Sequence, residues 1–140
     1  MSTPTTWQHD AATERWGRIY VGMLTRVEPH PHADREVVVE VDAGWGTLTV
    51  VTGGPHVAVG RKVAVALPGA RVQDPDSALP RLRKLKKGRI RGVMSEGMLC
   101  SGKELGLSDD HSAIFLLDPA APVGLPLARW LGEAPLPAAA

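Results

Sequence analysis

The chain has 140 residues, of which 44% are hydrophobic and 22% charged, a composition typical of one globular domain rather than a disordered protein. Its formal net charge is only +1, so affinity for a polyanion has to come from local clustering of basic residues. The single cysteine, Cys100, excludes an internal disulfide and indicates a reduced, cytoplasmic protein. We recognise no signal peptide and no apolar run long enough to cross a bilayer, so we expect no membrane association.

The N-terminal half of the chain alternates short apolar runs with turn residues. Residues 1–15 are polar and lack strand alternation, which predicts a flexible tail or one short helix. The run "GRIYVGMLTRVEPH" has a period of two, which predicts a strand. The runs "EVVVEVDAG" and "TLTVVTGG" are separated by a short turn and predict a β-hairpin, and "RKVAVALPGA" predicts a fourth strand.

The C-terminal half continues with a loop, a basic segment that we interpret as a further strand, and the apolar run "AIFLLD", which predicts the last strand. The run "PVGLPLARWLG" predicts one short helix that packs Leu127 and Trp130, and residues 133–140 predict a disordered tail. Long helical periodicity is absent. Short strands separated by Gly and Pro turns predict an all-β barrel or sandwich.

The basic segment, residues 81–91, is the strongest chemical signal in the sequence. No acidic residue lies between Ser77 and Ser95, and seven of the sixteen Lys and Arg residues fall in the segment. If it is a strand, Arg89 and Arg91 share one face and Ile90 points to the core. Lysines on a solvated edge strand are the alternative, but the density of charge favours binding of a polyanion.

Catalytic chemistry finds no support in the sequence. The turn "SEGMLCSGKELG" lacks the spacing of a phosphate-binding P-loop. Nothing places a histidine beside Cys100, so we expect a buried, inert thiol, and neither Ser95 nor Ser101 has a recognisable base. We therefore expect no catalytic residue, no cofactor and no enzyme activity.

A metal site is equally unsupported. His30 and His32 are two residues apart and would share a face in an extended segment, but no third ligand has suitable spacing. His56 and His111 would have to converge on them through folding. We predict an exposed loop that carries two histidines and binds no metal.

Several separated motifs in a fixed order carry a family resemblance: "HPHADREVVVEVDAG", "TVVTGGPHVAVGRKVAVALPGA" and "KKGRIRGVMSEGMLCSGKELGLS". Together they resemble the tRNA-binding OB-fold domain of the bacterial phenylalanyl-tRNA synthetase β subunit. The same module occurs in bacterial methionyl-tRNA synthetase, in stand-alone dimeric tRNA-binding proteins and in the export-related chaperone CsaA. The resemblance covers roughly residues 16–132, and this range is the expected domain.

The resemblance implies a five-stranded Greek-key OB-fold barrel with short helical and terminal extensions. It also implies structure-selective, non-catalytic binding of tRNA. The RNA-binding residues that it implies lie in the basic segment, in the Ser-x-Gly-Met turn and at a position where the family usually has asparagine: Lys84, Lys86, Lys87, Arg89, Arg91, Ser95, Met98 and His56. For Met98, an apolar contact with RNA and a place in the core remain open alternatives.

Two functional hypotheses follow. The first is a stand-alone tRNA-binding protein without the later synthetase domains, cytoplasmic, working as a homodimer with Leu127 and Trp130 near its interface, and able to dock on a protein partner. The second is a CsaA-like chaperone that binds peptides on the same barrel through apolar residues such as Met98 and Trp130. The salt dependence of binding separates them, because phosphate contacts release counterions and apolar contacts do not.

Overall fold

The computed structural model describes residues 16–133. The predicted N-terminal tail, residues 1–15, and all but the first residue of the predicted C-terminal tail lie outside this range. Among the helices that the structure describes, none has the length and apolar character needed to cross a bilayer.

Residues 16–133 form a mostly β structure of short antiparallel strands. The strands are β1 (Ile19–Pro29), β2 (Glu36–Asp42), β3 (Thr47–Gly53), β4 (Lys62–Ala66), β5 (Arg71–Gln73), β6 (Leu82–Lys84), β7 (Gly88–Ile90), β8 (Val93–Ser95) and β9 (Met98–Leu99). One five-stranded sheet has the order β3-β2-β1-β4-β9, and we call it the barrel sheet. The first four predicted strands are confirmed, as is the β2–β3 hairpin.

The barrel sheet curls until its two edges nearly meet, which gives an almost closed OB-like barrel. The edge strand β3 exchanges hydrogen bonds with Glu96, in the connection between β8 and β9. The N–H of Glu96 donates to the carbonyl of Thr49 at 2.8 Å, and the N–H of Thr49 donates to the Glu96 carboxylate at 2.7 Å. These bonds satisfy edge groups that would otherwise be free to pair with another chain. The predicted five-stranded OB-fold architecture is confirmed.

The core follows from the alternation of the strands. Val21 and Leu24 of β1, Val39 and Val41 of β2, and Val63 and Val65 of β4 have no exposed surface. A Cβ atom on Gly22 of β1 would approach Cγ1 of Val41 to 2.5 Å and Cγ1 of Val65 to 3.2 Å, so this glycine lets the buried valines pack closely. The irregularity of β1 lies farther along the strand, where the register with β2 shifts between Leu24 and Arg26.

Two short helices cover one end of the barrel. Helix α1 (Gly102–Leu105) begins with a capping box, in which Ser101 and Glu104 exchange hydrogen bonds. Helix α2 (Leu127–Glu133) matches the predicted short helix. Leu127 has no exposed surface and packs in the core together with the partly buried Trp130. The Leu127 side chain faces its own barrel and offers no contact to a partner chain, so the dimer interface expected near Leu127 and Trp130 stays a prediction that rests on the partly buried Trp130.

Two predicted strands differ from the structure. The basic segment is not one strand; it is divided between β6 and β7, which belong to two separate hairpins, β5–β6 and β7–β8. The run "AIFLLD" forms no strand and makes only isolated bridges, Ile114 with Ser101 and Leu116 with Val63. Apolar composition identified a buried segment there, but the segment is held against β4 at single points rather than along a ladder.

Candidate nucleic-acid interface

The two hairpins form a single long connection between β4 and β9, two neighbouring strands of the barrel sheet. We call β5–β6 and β7–β8 the basic hairpins. Each of their strands has only three residues, and every residue of β6 is exposed. Because the hairpins bury so little, their sequence is free to carry charge, and the chain places most of its basic segment here.

Seven basic side chains on these hairpins and on the segment between them are exposed and make no salt bridge with any residue in the range 16–133. Two are Arg71 and Arg81, and the other five are the predicted RNA-binding residues Lys84, Lys86, Lys87, Arg89 and Arg91. Arg83 is different, since its guanidinium lies 3.6 Å from the carboxylate of Glu104, whose side chain is only 7% exposed. The sequence placed no acid near this segment, yet folding brings Glu104 to it. Arg83 therefore joins β6 to α1, and the other seven basic side chains retain their charge for another partner.

The tip of the β7–β8 hairpin is a tight turn. Arg91 has φ 53° and Gly92 has φ 89°, both in the left-handed region. A guanidinium nitrogen of Arg89 donates to the carbonyl of Gly92 at 3.2 Å. The prediction that Arg89 and Arg91 alternate with Ile90 along one strand is wrong for Arg91, because the strand ends at Ile90. The turn presents Arg91 at the extremity of the hairpin instead.

The Ser-x-Gly-Met turn closes the barrel. Ser95 is 6% exposed; its hydroxyl accepts from the N–H of Val51 at 3.0 Å and donates to the carbonyl of Gly97 at 2.8 Å. A Cβ atom on Gly97 would approach the carbonyl oxygen of Ala66 to 2.7 Å. Met98 is partly buried and packs against the core. Both predicted site residues of this motif are thus built into the barrel wall beside the hairpin.

His56 lies in the loop between β3 and β4, exposed, with φ 75°. This left-handed conformation is tolerated best by glycine, asparagine, aspartate and histidine, which gives a backbone reason for the residue type. His56 and His111 lie near Asp110. Hydrogen bonds from the hydroxyl and then the N–H of Ser112 hold the pKa of Asp110 below its ordinary value, and the two histidines lower it further.

The prediction that His30 lies in an exposed loop is wrong. Its side chain is 5% exposed and both ring nitrogens have partners. Nε2 lies 2.9 Å from the carbonyl oxygen of Ile90, and Nδ1 accepts from the N–H of His32 at 2.9 Å. The partner in β7 is sixty positions away, so no local pattern could have revealed the contact.

A cleft of about 440 Å³ opens where loop 30–35, between β1 and β2, meets the tip of the β7–β8 hairpin. The loop and the first residue of β2 line it with charges of both signs, and the hairpin contributes Arg91; the lining residues are His32, Ala33, Asp34, Arg35, Glu36 and Arg91. The two sides are in contact through His30, whose Nε2 lies 2.9 Å from the carbonyl oxygen of Ile90.

Other reactive groups are placed away from this interface. Cys100 is fully buried, and burial, assisted by the charge of Glu104, raises the pKa of its thiol far above the ordinary value. The predicted burial of Cys100 is confirmed. In the described range 16–133, no group of three or more histidine, cysteine or acidic side chains has the geometry of a metal site.

The family profile and similar curated proteins point to the same family. Residues 19–126 match the profile of the family described as "Putative tRNA binding domain". The phenylalanine–tRNA ligase β subunit of Dehalococcoides mccartyi is 46% identical over 120 residues, which are 86% of this chain and 15% of that protein. The same subunit of Rhodospirillum rubrum is 44% identical over 116 residues, 83% of this chain and 14% of that protein. The chain thus spans about 15% of the length of these relatives.

Solved structures agree on the fold. A MetRS-related protein of Pyrococcus horikoshii superimposes with a TM-score of 0.51 at 21% identity, covering 76% of this chain and 85% of that one. An RNA ligase of Naegleria gruberi gives a TM-score of 0.55 at 16% identity, covering 82% of this chain and 33% of that one. At these identities the likeness concerns the barrel alone.

Proposed function

The chain belongs to the tRNA-binding domain family, and from this premise we propose that it binds folded tRNA through the basic hairpins and catalyses no reaction. The observation that carries the proposal is the cluster of exposed basic side chains without salt bridges within residues 16–133, which includes Lys84, Lys86, Lys87, Arg89 and Arg91. Their charge is concentrated on the long connection between two barrel strands, one of the regions through which OB-folds bind oligonucleotides.

Recognition would depend on the shape of the RNA. The base edges of an A-form helix lie in a deep, narrow groove that side chains do not reach, whereas its phosphates are exposed. Lys and Arg side chains on short, protruding hairpins suit phosphates that recur along a backbone. In this proposal Ser95 acts as a positioning residue, since its hydroxyl is occupied by Val51 and Gly97. Met98 and His56 remain proposed contacts at the rim.

The experiment is a filter-binding or fluorescence titration of unfractionated tRNA against the purified chain at several salt concentrations. Five phosphate contacts predict a slope of log K against log salt of roughly −3.5 to −4.5. Replacement of Lys86, Lys87, Arg89 and Arg91 together by Ala should abolish binding at moderate salt. Unchanged affinity of this fourfold variant would disprove the proposed interface.

A matched control separates local from total charge. The double variant Lys86→Ala/Lys87→Ala and the double variant Arg26→Ala/Arg61→Ala lose the same formal charge, but Arg26 and Arg61 lie outside the basic hairpins. The first pair should weaken tRNA binding strongly and the second only slightly. Equal effects would mean that total charge, rather than the hairpins, determines affinity.

We further propose that the domain binds tRNA without the other regions of a synthetase, as a cytoplasmic homodimer, and that it can also dock on a protein partner. Support comes from the family and from the small size of the barrel. With Leu127 buried in its own core, the interface has to use another surface. Sedimentation would decide, because a species of only 14.9 kDa rejects the dimer.

The second candidate function is binding of an unfolded polypeptide, as in a CsaA-like chaperone. The observation that favours this function is an apolar surface at the β5–β6 hairpin and the end of α1, where Leu79, Leu82 and Leu107 are exposed. Leu79 and Leu107 line one groove. Met98 and Trp130, expected on such a surface, pack against the core instead. Binding of an unfolded polypeptide that is insensitive to salt, together with no binding of tRNA, would favour this function.

A further inference from the structure

Building on the proposed RNA binding, we infer that the cleft between loop 30–35 and the tip of the β7–β8 hairpin is a subsite for one nucleotide of the RNA. His30 is the positioning residue that holds the two sides of the cleft together. The inference adds Arg35, and the loop that carries it, to the interface proposed above.

The geometry of His30 supports the positioning role. Its ring bridges the two sides: Nε2 contacts the carbonyl of Ile90 at the base of the hairpin tip, and Nδ1 accepts from the N–H of His32 in the loop. The second contact fixes Nδ1 as an acceptor, so the proton lies on Nε2 and is donated to Ile90. A buried ring with both nitrogens engaged holds one geometry, whereas a three-residue hairpin alone would not.

The chemistry of the cleft suits a nucleotide better than a bare anion. Arg35 lines the cleft on the loop side and Arg91 on the hairpin side, and guanidinium groups form charge-assisted hydrogen bonds with phosphodiesters. Asp34 and Glu36 offset their charge, and carboxylates accept hydrogen bonds from the amino groups of unpaired bases. The cleft, at about 440 Å³, falls in the size range of small-ligand sites, roughly 300–1,000 Å³.

Two variants of His30 test its hydrogen bond to the hairpin separately from its contribution to folding. In His30→Gln the amide nitrogen reaches the position of Nε2 and can still donate to Ile90. In His30→Asn the amide oxygen reaches only the position of Nδ1, so the loop contact remains and the bridge to the hairpin is lost. We expect His30→Asn to bind tRNA about tenfold more weakly, equivalent to about 1.4 kcal/mol, and His30→Gln to stay near the wild type. The salt slope should be unchanged in both, because His30 contacts no phosphate.

Arg35→Ala tests the loop side directly. Its salt slope should be smaller in magnitude by about 0.7 to 1, as for one lost phosphate contact, while Arg61→Ala leaves the slope unchanged. Inorganic phosphate, added at constant ionic strength, should not displace tRNA from the wild-type protein. Displacement by phosphate would show a simple anion site and overturn the nucleotide assignment.

The outcomes distinguish this inference from the proposed function. If the wild-type protein binds no tRNA, the proposed function fails first. If the wild type binds and His30→Asn or Arg35→Ala binds with the same affinity and salt slope, the subsite is wrong and the hairpin interface stands. Should both His30 variants fail to fold, Arg35→Ala compared with Arg61→Ala decides the inference alone.

Discussion

The barrel sheet and the basic hairpins are built from the same kind of strand but bury very different amounts of it. The strand β1 has 11 residues, and four of its first six are buried. In β6 all three residues are exposed, and β7 has one partly buried residue, Ile90. The sheet alternates apolar and polar residues so that one face fills the core, whereas every charged residue in the hairpin strands is basic: Arg71, Arg83, Lys84 and Arg89.

The contrast separates stability from binding. Apolar surface removed from water supplies most of the favourable free energy of folding, and most of it here belongs to the barrel sheet and the two helices. The hairpins add little beyond the buried Val72, so substitution of their exposed residues should change the free energy of unfolding only slightly. Exposed segments of this kind open easily unless something holds them, and the contacts of His30, Arg83 and Ser95 hold them here.

The largest expected effect on stability belongs to the sheet. Leu24 has no exposed surface, and Leu24→Ala should lower the free energy of unfolding by about 2–5 kcal/mol, because it leaves a cavity among packed valines. Urea denaturation measures this loss. The tRNA affinity of the folded variant should equal that of the wild type. A large loss of tRNA affinity in a folded Leu24→Ala variant would show that the packing of the barrel sheet also determines RNA binding.

The sheet was predictable because its signals are local. A period of two along β1, a short turn between β2 and β3, and β-branched runs each identify a strand from a few neighbouring residues. The run "AIFLLD" carries the same composition, but its partners are single residues of distant segments, so it bridges without forming a ladder. Composition predicted its burial and not its geometry.

The site was predictable only in part. Clustered charge in residues 81–91 is visible in the sequence, and the structure keeps six of the seven basic side chains, all but Arg83, exposed and without salt bridges among the described residues. This segment divides between β6 and β7, after Leu85, which exchanges backbone hydrogen bonds with Gly69 and Ala70. Those partners are fifteen or more positions away, so no local pattern predicts the division. The contacts of His30 and Glu104 join positions far apart in the chain and have no local pattern.

A smaller effect is expected where the two regions meet. Ser95→Ala removes the acceptor of the buried Val51 N–H, which should lower the free energy of unfolding by about 1–3 kcal/mol. Urea denaturation again gives the value. Because Ser95 also fixes the base of the β7–β8 hairpin, tRNA affinity should fall modestly with an unchanged salt slope.

Ser77→Ala is the control for this change. The Ser77 hydroxyl donates to the carbonyl of Leu79 within an exposed loop, so its loss should cost less than about 0.5 kcal/mol. If Ser95→Ala were no more destabilising than Ser77→Ala, the barrel would not depend on the Ser-x-Gly-Met turn for its closure.

The smallest and most selective effect compares two neighbours in β6. Arg83 faces the buried carboxylate of Glu104, whereas Lys84 has no salt bridge within residues 16–133. Arg83→Ala should lower the free energy of unfolding by about 1 kcal/mol, and Lys84→Ala should leave it nearly unchanged, since an exposed, unpaired lysine contributes little. In tRNA titrations the order should reverse: Lys84→Ala should reduce the magnitude of the salt slope by about 1 and Arg83→Ala should not, because the guanidinium already has a partner. Equal salt slopes for the two variants would mean that the ion pair with Glu104 opens when RNA binds. Arg83 would then contribute both to the stability of the free protein and to RNA binding, and the two roles would not belong to separate residues of β6.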